Sequence, residues 1–210
     1  HPGYGFLSEN ADFARDVEAA GLIFIGPTPQ QIESMGDKVR ARELMEAASV
    51  PVIPGSNGPI DDKKTLQTEA NRIGYPLLLK AAGGGGGKGI RRVDSKEDLV
   101  SAWERTRSEA LAAFADGRVY IERFVSPARH IEAQIVGDGY GSVWILGERE
   151  CSLQRNHQKV LEESPSVVID DEVRTRLREA AIAGAASINY RGAGTMEFLY
   201  NCDTREFYFL

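Results

Sequence analysis

The sequence lacks the long apolar runs of membrane spans, the paired cysteines of disulfide frameworks and the excess positive charge of polyanion-binding surfaces. Its 210 residues contain no apolar stretch approaching the ~20 residues that cross a bilayer. Its two cysteines, Cys151 and Cys202, lie far apart and form no CxxC pair, which favours a reduced, cytosolic-type protein over a disulfide-stapled one. The net charge of −6 argues against non-specific binding to nucleic acid. We therefore expect no membrane partner and no nucleic-acid partner, and any bound phosphate must be held by a few local lysines and backbone N–H groups.

What remains is an ordinary globular composition, with 42% hydrophobic and 27% charged residues. His1 opens a stretch rich in turn-forming residues, and the chain stops within the aromatic stretch 205–210, which has the pattern of a strand. We expect from this an internal piece of a longer protein.

Capping residues and apolar patterns predict helices and strands in irregular order. Asn10, Thr28 and Asp37 are suited to cap helices, and Pro29 to open one. Helices are predicted at 11–20, from 29, and at 38–48, 62–73, 95–115 and 171–188; strands are predicted at 22–26, 76–82, 90–93, 118–124, 130–137, 142–149, 194–200 and 206–210. Because strict βαβ alternation is missing, the fold class predicted is α+β, with its best internal boundary at the Pro- and Gly-rich stretch 51–59.

Five consecutive glycines, 83–87, separate two predicted strands and are followed by Lys88 and Gly89. Glycine permits positive φ angles and leaves backbone N–H groups unobstructed, so this loop is suited to close over a phosphate chain as a hairpin flap. The alternative is a flexible linker. The GxxxxGK[ST] motif fails because Gly89 follows Lys88, and no helix begins directly after the loop as a dinucleotide-binding fold requires.

Two lysines and one glutamate are candidates for nucleotide binding. Lys80 ends an apolar run, where an ammonium without a partner is costly, so a nucleotide phosphate is a suitable partner; the alternative is a lysine that reaches solvent. Lys38 begins a predicted helix and on local evidence is a solvated lysine. Glu122 lies among apolar neighbours in a stretch whose backbone can meet a flat base; the alternative is the salt-bridged carboxylate of an edge strand.

Two further segments carry candidate chemistry. The polar stretch 151–159 contains Gln154, His157 and Lys159, and we predict a loop there, either functional or simply solvated. Strand alternation at 194–200 turns Glu197 away from the apolar face, which suits an oxygen ligand of Mg²⁺ bound to ATP.

Seven segments in series resemble the biotin carboxylase component of biotin-dependent carboxylases, which are ATP-grasp enzymes. They are HPGYGFLSEN (1–10), FIGP (24–27), MGDK (35–38), GYPLLLKAAGGGGGKG (74–89), RHIEAQI (129–135), ERECSLQRNHQK (148–159) and RGAGTMEFLY (191–200). The resemblance covers essentially the whole chain and extends to acetyl-, propionyl- and methylcrotonyl-CoA carboxylases and pyruvate carboxylase.

The resemblance implies an ATP-grasp fold in three parts. Residues 1–51 are expected to be the end of an N-terminal α/β (pre-ATP-grasp) domain with its linker helices. Residues 52–124 are expected to be the small B subdomain, the ATP lid with the glycine hairpin. Residues 125–210 are expected to be the truncated start of the C-terminal domain.

The resemblance also implies roles for individual residues. Lys159 is expected to be catalytic and to face bicarbonate, and Glu197 to bind the metal. The residues expected at ATP are Lys38 and Lys80 at the phosphates, Gly84, Gly85, Gly86 and Gly87 over them, Glu122 and Val125 at the adenine, and His130, Gln154 and His157 around the ribose.

The reaction implied is the ATP- and bicarbonate-dependent carboxylation of carrier-protein biotin through carboxyphosphate. It implies ATP and Mg²⁺ as cofactors, with Mn²⁺ as an alternative metal, and a biotin carboxyl carrier protein or domain and a carboxyltransferase as partners. A homodimer of the full-length protein is also implied, in the cytoplasm, or in the mitochondrial matrix if the source is eukaryotic.

The sequence also departs from the family pattern. The family's second metal-binding acid, its catalytic base and its biotin-binding arginine follow the segment that ends at Leu210, so we expect the isolated chain to be inactive in biotin carboxylation. Asn156 stands where many relatives carry arginine. Two alternatives remain open: another ATP-grasp ligase, such as a carbamoyl-phosphate synthetase-like protein, or a non-catalytic nucleotide-binding module.

Overall fold

The structure is a computed structural model that describes residues 1–83, 89–156 and 158–210. The chain divides into two compact units, and each is described by itself. The first unit comprises His1–Val52, Ala128–Leu153 and Leu161–Leu210, and the second comprises Ile53–Pro127 and Gln154–Val160. The division predicted at 1–51, 52–124 and 125–210 stays a prediction.

Helices and strands alternate irregularly along the described residues. After a 3₁₀ turn at Phe6–Glu9, the helices are α1 (Ala11–Ala19), α2 (Pro29–Gly36), α3 (Lys38–Ala47), α4 (Lys63–Ile73), α5 (Lys96–Phe114) and α6 (Asp171–Ser187). The strands are β1 (Leu77–Ala81), β2 (Ile90–Val93), β3 (Val119–Arg123), β4 (Ala128–Asp138), β5 (Val143–Arg155), β6 (Gln158–Glu163), β7 (Arg191–Asn201) and β8 (Glu206–Phe209).

The first three helices begin at the predicted capping residues. The Asn10 side chain accepts a hydrogen bond from the Phe13 N–H at 2.7 Å, and Asp37 accepts from two backbone N–H groups of the first turn of α3. Thr28 and Gln31 form a reciprocal capping box at the start of α2. These caps satisfy N–H groups that have no partner within the helix, which is why a local signal locates the helix starts.

The strand predicted at 22–26 is wrong. Leu22, Ile23 and Ile25 are exposed, with Ile23 91% exposed, and Phe24 alone of the large side chains is buried, in edge contact with Phe13. A strand requires a neighbour that completes its backbone hydrogen bonds, and no strand among the described residues pairs with this segment.

The first unit contains most of an antiparallel five-stranded sheet with the order β6-β5-β4-β7-β8. Residues of β4 and β7 that face each other directly, such as Ile131 with Phe198 and Ala133 with Met196, are buried. They pack with the apolar face of α6, including Val173 and Leu177, in one core cluster. Strand alternation therefore turns the intervening polar side chains of β4 and β7 to the opposite face of the sheet.

The second unit contains an antiparallel three-stranded sheet with the order β2-β1-β3. Leu77 and Leu79 of β1 are fully buried and share a core cluster with Leu66 of α4 and Trp103 of α5. Helices α4 and α5 thus cover one face of this sheet, and Lys80, between Leu79 and Ala81, points to the other face.

None of the helices in the described part of the chain combines the length and the apolar composition that crossing a bilayer requires.

Candidate functional site

Lys80 carries a buried ammonium that pairs with a carboxylate of the neighbouring strand. Its Nζ lies 2.6 Å from Oε2 of Glu122, and the two residues are 8% and 6% exposed. The β1–β3 register places Leu78 opposite Glu122 and Tyr120 opposite Lys80, so the charged pair is diagonal on one face of the sheet. The Lys80 ammonium is therefore largely removed from water, and its charge is compensated by the Glu122 carboxylate.

Glu122 was predicted either to lie beside a base or to be the salt-bridged carboxylate of an edge strand. The structure has the second arrangement: β3 is the terminal strand of its sheet, and the partner is Lys80. The role of Glu122 at the adenine stays a prediction.

The glycine run joins two antiparallel strands, as predicted for a hairpin flap. β1 ends at Ala81, β2 begins at Ile90, and Lys80 faces Ile90 across the ladder. Gly84 to Gly87, the predicted phosphate cover, lie outside the described residues together with Lys88. Gly89 is required on two grounds: its φ is +74°, and an added Cβ would lie 2.7 Å from the Cβ of Ala81.

Val125 lies in the connector between β3 and β4 and is partly buried. The preceding Phe124 is fixed in two ways: its N–H donates to the carbonyl of Pro76 at 3.1 Å, and the Arg92 guanidinium lies 4.3 Å from its ring centroid. The connector that was predicted to meet the adenine thus begins from a well-anchored residue.

In the first unit, the polar face of the sheet gathers His130, Glu132 and Glu197. Glu132 of β4 and Glu197 of β7 face each other directly, and His130 lies two residues before Glu132 on the same face. His130 Nε2 is 3.3 Å from Glu197 Oε2, and one ligand atom from each of the three residues lies within 4.8 Å of the others. Glu132 is only 2% exposed.

This cluster fits a divalent cation because carboxylate oxygens are the ligands that Mg²⁺ prefers, with further positions filled by water and substrate phosphates. Glu197, whose side chain is 36% exposed, is the more accessible of the two carboxylates. A second group with suitable spacing, Glu132 with Cys151 and Glu162, lies on the neighbouring strands.

Arg149 and Glu132 are polar residues of this face that the sequence analysis missed. Arg149 of β5 faces Glu132 directly, and its Nε donates to Glu132 Oε1 at 2.5 Å, while its Nη2 contacts the same oxygen. Its Nη1 donates to Gln134 Oε1 at 3.0 Å, and its Nε lies 3.4 Å from Glu162 Oε2. The sequence could have indicated Glu132, because alternation in the strand predicted at 130–137 places residues 130, 132 and 134 on one face.

The loop predicted at 151–159 is wrong for most of its length. β5 continues to Arg155, so Gln154 lies on a strand, and β6 begins at Gln158, so Lys159 does too. Asn156 makes the turn with a φ of 52°, a conformation that asparagine tolerates. The polar residues form a strand because pairing of β6 with β5 satisfies their backbone groups, and the residues of β6 are exposed throughout.

The predicted site residues are divided between the two units. Lys38, the first residue of α3, lies in the first unit with His130 and Glu197; Lys80, Glu122, Val125, Gln154 and Lys159 lie in the second. His157 lies outside the described residues.

Comparison with known families identifies the class of protein to which this chain belongs. Residues 37–210 match the family described as carbamoyl-phosphate synthase L chain, ATP binding domain, and residues 1–32 match the one described as biotin carboxylase, N-terminal domain. Because the first match spans more than half of the chain, the chain belongs to this family of ATP-binding domains.

Within that family, its similarity is to biotin carboxylases. A biotin carboxylase of Allochromatium vinosum is 54% identical over 211 aligned residues, covering 100% of this chain and 46% of the relative. A solved biotin carboxylase–β,γ-ATP complex from Campylobacter jejuni superposes with a TM-score of 0.94 at 48% identity, covering 99% of this chain and 46% of that one.

A third relative carries further ligands. The biotin carboxylase domain dimer of Hydrogenobacter thermophilus 2-oxoglutarate carboxylase, solved with MgADP, ADP and bicarbonate, has a TM-score of 0.92 and 46% identity over 100% of this chain and 46% of that one. The predicted α+β ATP-grasp fold and the resemblance to biotin carboxylases are thus confirmed. The chain spans about half the length of these relatives.

Proposed function

We propose that this chain is the ATP-binding part of a biotin carboxylase, which uses ATP and bicarbonate to carboxylate biotin on a carrier protein. The observation that carries the proposal is the buried Lys80–Glu122 pair at the base of a glycine-joined hairpin. The ion pair with Glu122 holds the Lys80 ammonium in one position beside the strand–loop–strand hairpin, and a preorganised cation at this place is suited to bind a phosphate. The ligands in the two solved relatives, a β,γ-ATP compound in one and MgADP with bicarbonate in the other, support the same substrates here.

The proposed roles follow those expected from the resemblance. Lys38 and Lys80 hold ATP phosphates, Gly84 to Gly87 cover them, Glu122 and Val125 meet the adenine, and His130, Gln154 and His157 surround the ribose. Glu197 holds the Mg²⁺ that accompanies ATP, with Mn²⁺ as an alternative, and Lys159 holds bicarbonate. The metal, when bound, neutralises part of the phosphate charge.

In the proposed reaction, a bicarbonate oxygen attacks the γ-phosphorus and the bond to ADP breaks, giving carboxyphosphate. Carboxyphosphate then breaks down to CO₂ and phosphate; biotin N1 transfers its proton to the released phosphate and forms a bond to the carbon of CO₂. The ammonium groups of this chain contribute by positioning the phosphates and stabilising the negative charge that develops during transfer.

The proposed partners are a biotin carboxyl carrier protein or domain and a carboxyltransferase, in the cytoplasm. The dimer of the Hydrogenobacter thermophilus domain supports a homodimer of the full-length protein. The final acceptor of the carboxyl group is set by the carboxyltransferase.

Isothermal titration of Mg–ATP into the parent chain and Lys80→Met tests the proposal. We expect the variant to bind about 10- to 100-fold more weakly, because a hydrogen bond to a charged group contributes about 1.5–3 kcal/mol. Lys96→Met is the matched control, since Lys96 is an exposed lysine of the same unit and its loss changes the net charge equally. We expect this control to bind like the parent.

Lys80→Met leaves Glu122 without its buried ammonium, so the double variant Lys80→Met/Glu122→Gln is titrated as well. It removes the uncompensated carboxylate and should still bind weakly. Parent-like affinity in this double variant would refute the proposed role of Lys80 at the phosphates.

A further inference from the structure

Three charged residues lie in a row across three adjacent strands of the first unit. Arg149 of β5 faces Glu132 of β4, and Glu132 faces Glu197 of β7. Side chains that face each other in this way have Cβ atoms about 4.5–5.5 Å apart, so neighbours in the row interact directly. The order of charges is one positive followed by two negative.

Glu132 is the member of the row that most needs compensation. It is 2% exposed, so its negative charge has lost most of its hydration. The second carboxylate, Glu197, adds like-charge repulsion. Arg149 supplies the compensation, because Nε and Nη2 both contact Glu132 Oε1. Contacts of Arg149 with Gln134 and Glu162 hold the guanidinium in this orientation.

The same carboxylate belongs to the cluster with suitable spacing for a metal ion, with His130 and Glu197. Affinity of such sites for divalent cations rises with the number of charged ligands they offer. With Arg149 in place, the charges of Arg149, Glu132, Glu162 and Glu197 sum to −2; without Arg149, they would sum to −3.

We propose that Arg149 is a positioning residue that withholds Glu132 from metal binding, so that the site binds its cation only together with the phosphates of the nucleotide. This inference rests on the proposed role of Glu197 as a metal ligand. It explains why the cation would bind as a complex with the nucleotide and not alone.

The test is a gain of metal binding, measured in the absence of nucleotide. Co²⁺ is titrated into the parent chain and Arg149→Met, and binding is followed by calorimetry and by the visible absorption of the bound ion. We expect Arg149→Met to bind Co²⁺ at least about tenfold more tightly than the parent, because the positive charge that opposes a cation at this cluster is lost. A purely structural role of Arg149 would not produce a gain.

Two further variants locate the metal. In Glu132→Gln/Arg149→Met the gain should disappear, because the carboxylate that Arg149 withheld is gone. Arg129→Met is the matched control: Arg129 forms an ion pair with Glu150 in the same sheet at 3.3 Å, so its loss changes the net charge equally without exposing Glu132. We expect this control to bind Co²⁺ like the parent.

Several outcomes would overturn the inference: no gain in Arg149→Met, a gain that survives in the double variant, or an equal gain in Arg129→Met. A thiolate-to-cobalt charge-transfer band would also overturn it, since it would place the ion at Cys151 in the second cluster. If Arg149→Met does not fold, Arg149→Gln carries the same expectations, because the amide retains a donor to Glu132 without the charge. Nucleotide binding of the parent and of Lys80→Met is independent of all these outcomes, so failure here leaves the proposed function standing.

Discussion

At the scale of single residues, Gly137 of β4 shows how closely the first unit is packed. A Cβ added there would lie 2.0 Å from the carbonyl oxygen of Tyr190, a backbone atom that cannot rotate away. We predict that Gly137→Ala lowers the free energy of unfolding by about 1–3 kcal/mol, the usual cost of overpacking, measured by urea denaturation. Gly36→Ala is the control, because an added Cβ at this helical position meets nothing within 4 Å and alanine favours a helix. Equal stability of the two variants would contradict this account of Gly137.

Lys80 shows what could be predicted about a single residue from the sequence. Its position after three leucines left two alternatives, an ammonium held by a phosphate or a lysine that reaches solvent, and Lys80 is buried rather than exposed. The partner in the structure, Glu122, could not be deduced from the residues around Lys80, because it depends on the register between β1 and β3. Local patterns predict burial, whereas charge pairing across a sheet requires the fold.

At the scale of elements, the capping residue Asp62 makes the stability of the start of α4 dependent on pH. Its carboxylate accepts hydrogen bonds from the backbone N–H groups of Lys64 and Thr65 and from the Thr65 hydroxyl. The bonds from Thr65 hold the pKa of Asp62 below its ordinary value of 3.8. A lowered pKa in the folded state means that the stabilisation is complete above pH 3.8 and is lost as the pH falls through the folded pKa.

We therefore predict that the stability difference between the parent and Asp62→Asn is largest at neutral pH and narrows below pH 3.8. Asparagine retains a capping oxygen but does not titrate, so the variant isolates the effect of charge. Urea denaturation curves at neutral pH and just below pH 3.8 measure it. A difference that stays constant between the two conditions would contradict this role of Asp62.

Elements whose signals are local were predicted well, and those that depend on distant partners were not. Asn10, Thr28 and Asp37 begin helices as predicted, because a cap requires only the residues of the next turn. Residues 22–26 have the composition of a strand but no pairing strand among the described residues. The polar stretch 151–159 has the composition of a loop, yet pairing between β5 and β6 makes most of it strand.

At the scale of the whole molecule, the chain carries two candidate clusters, and each lies within its own compact unit. The pair Lys80–Glu122 lies in the second unit, and His130, Glu132 and Glu197 lie in the first. The resemblance assigned roles to Lys80, His130 and Glu197, which lie within the quoted segments, and to Glu122, which lies outside them, and these roles stay predictions. It did not identify Arg149, whose part emerges only from its contacts across the sheet.

The most direct measurement of the central claim, that this chain binds a metal–nucleotide complex through Glu197, is the affinity for ADP with and without Mg²⁺. Isothermal titration is carried out on the parent, on Glu197→Gln, and on Glu179→Gln, an exposed carboxylate of α6 in the same unit that serves as the matched control. We predict that Mg²⁺ strengthens ADP binding to the parent and to the control, and that Glu197→Gln retains the metal-free affinity but loses most of this gain. An equal effect of Mg²⁺ on all three proteins would contradict the account.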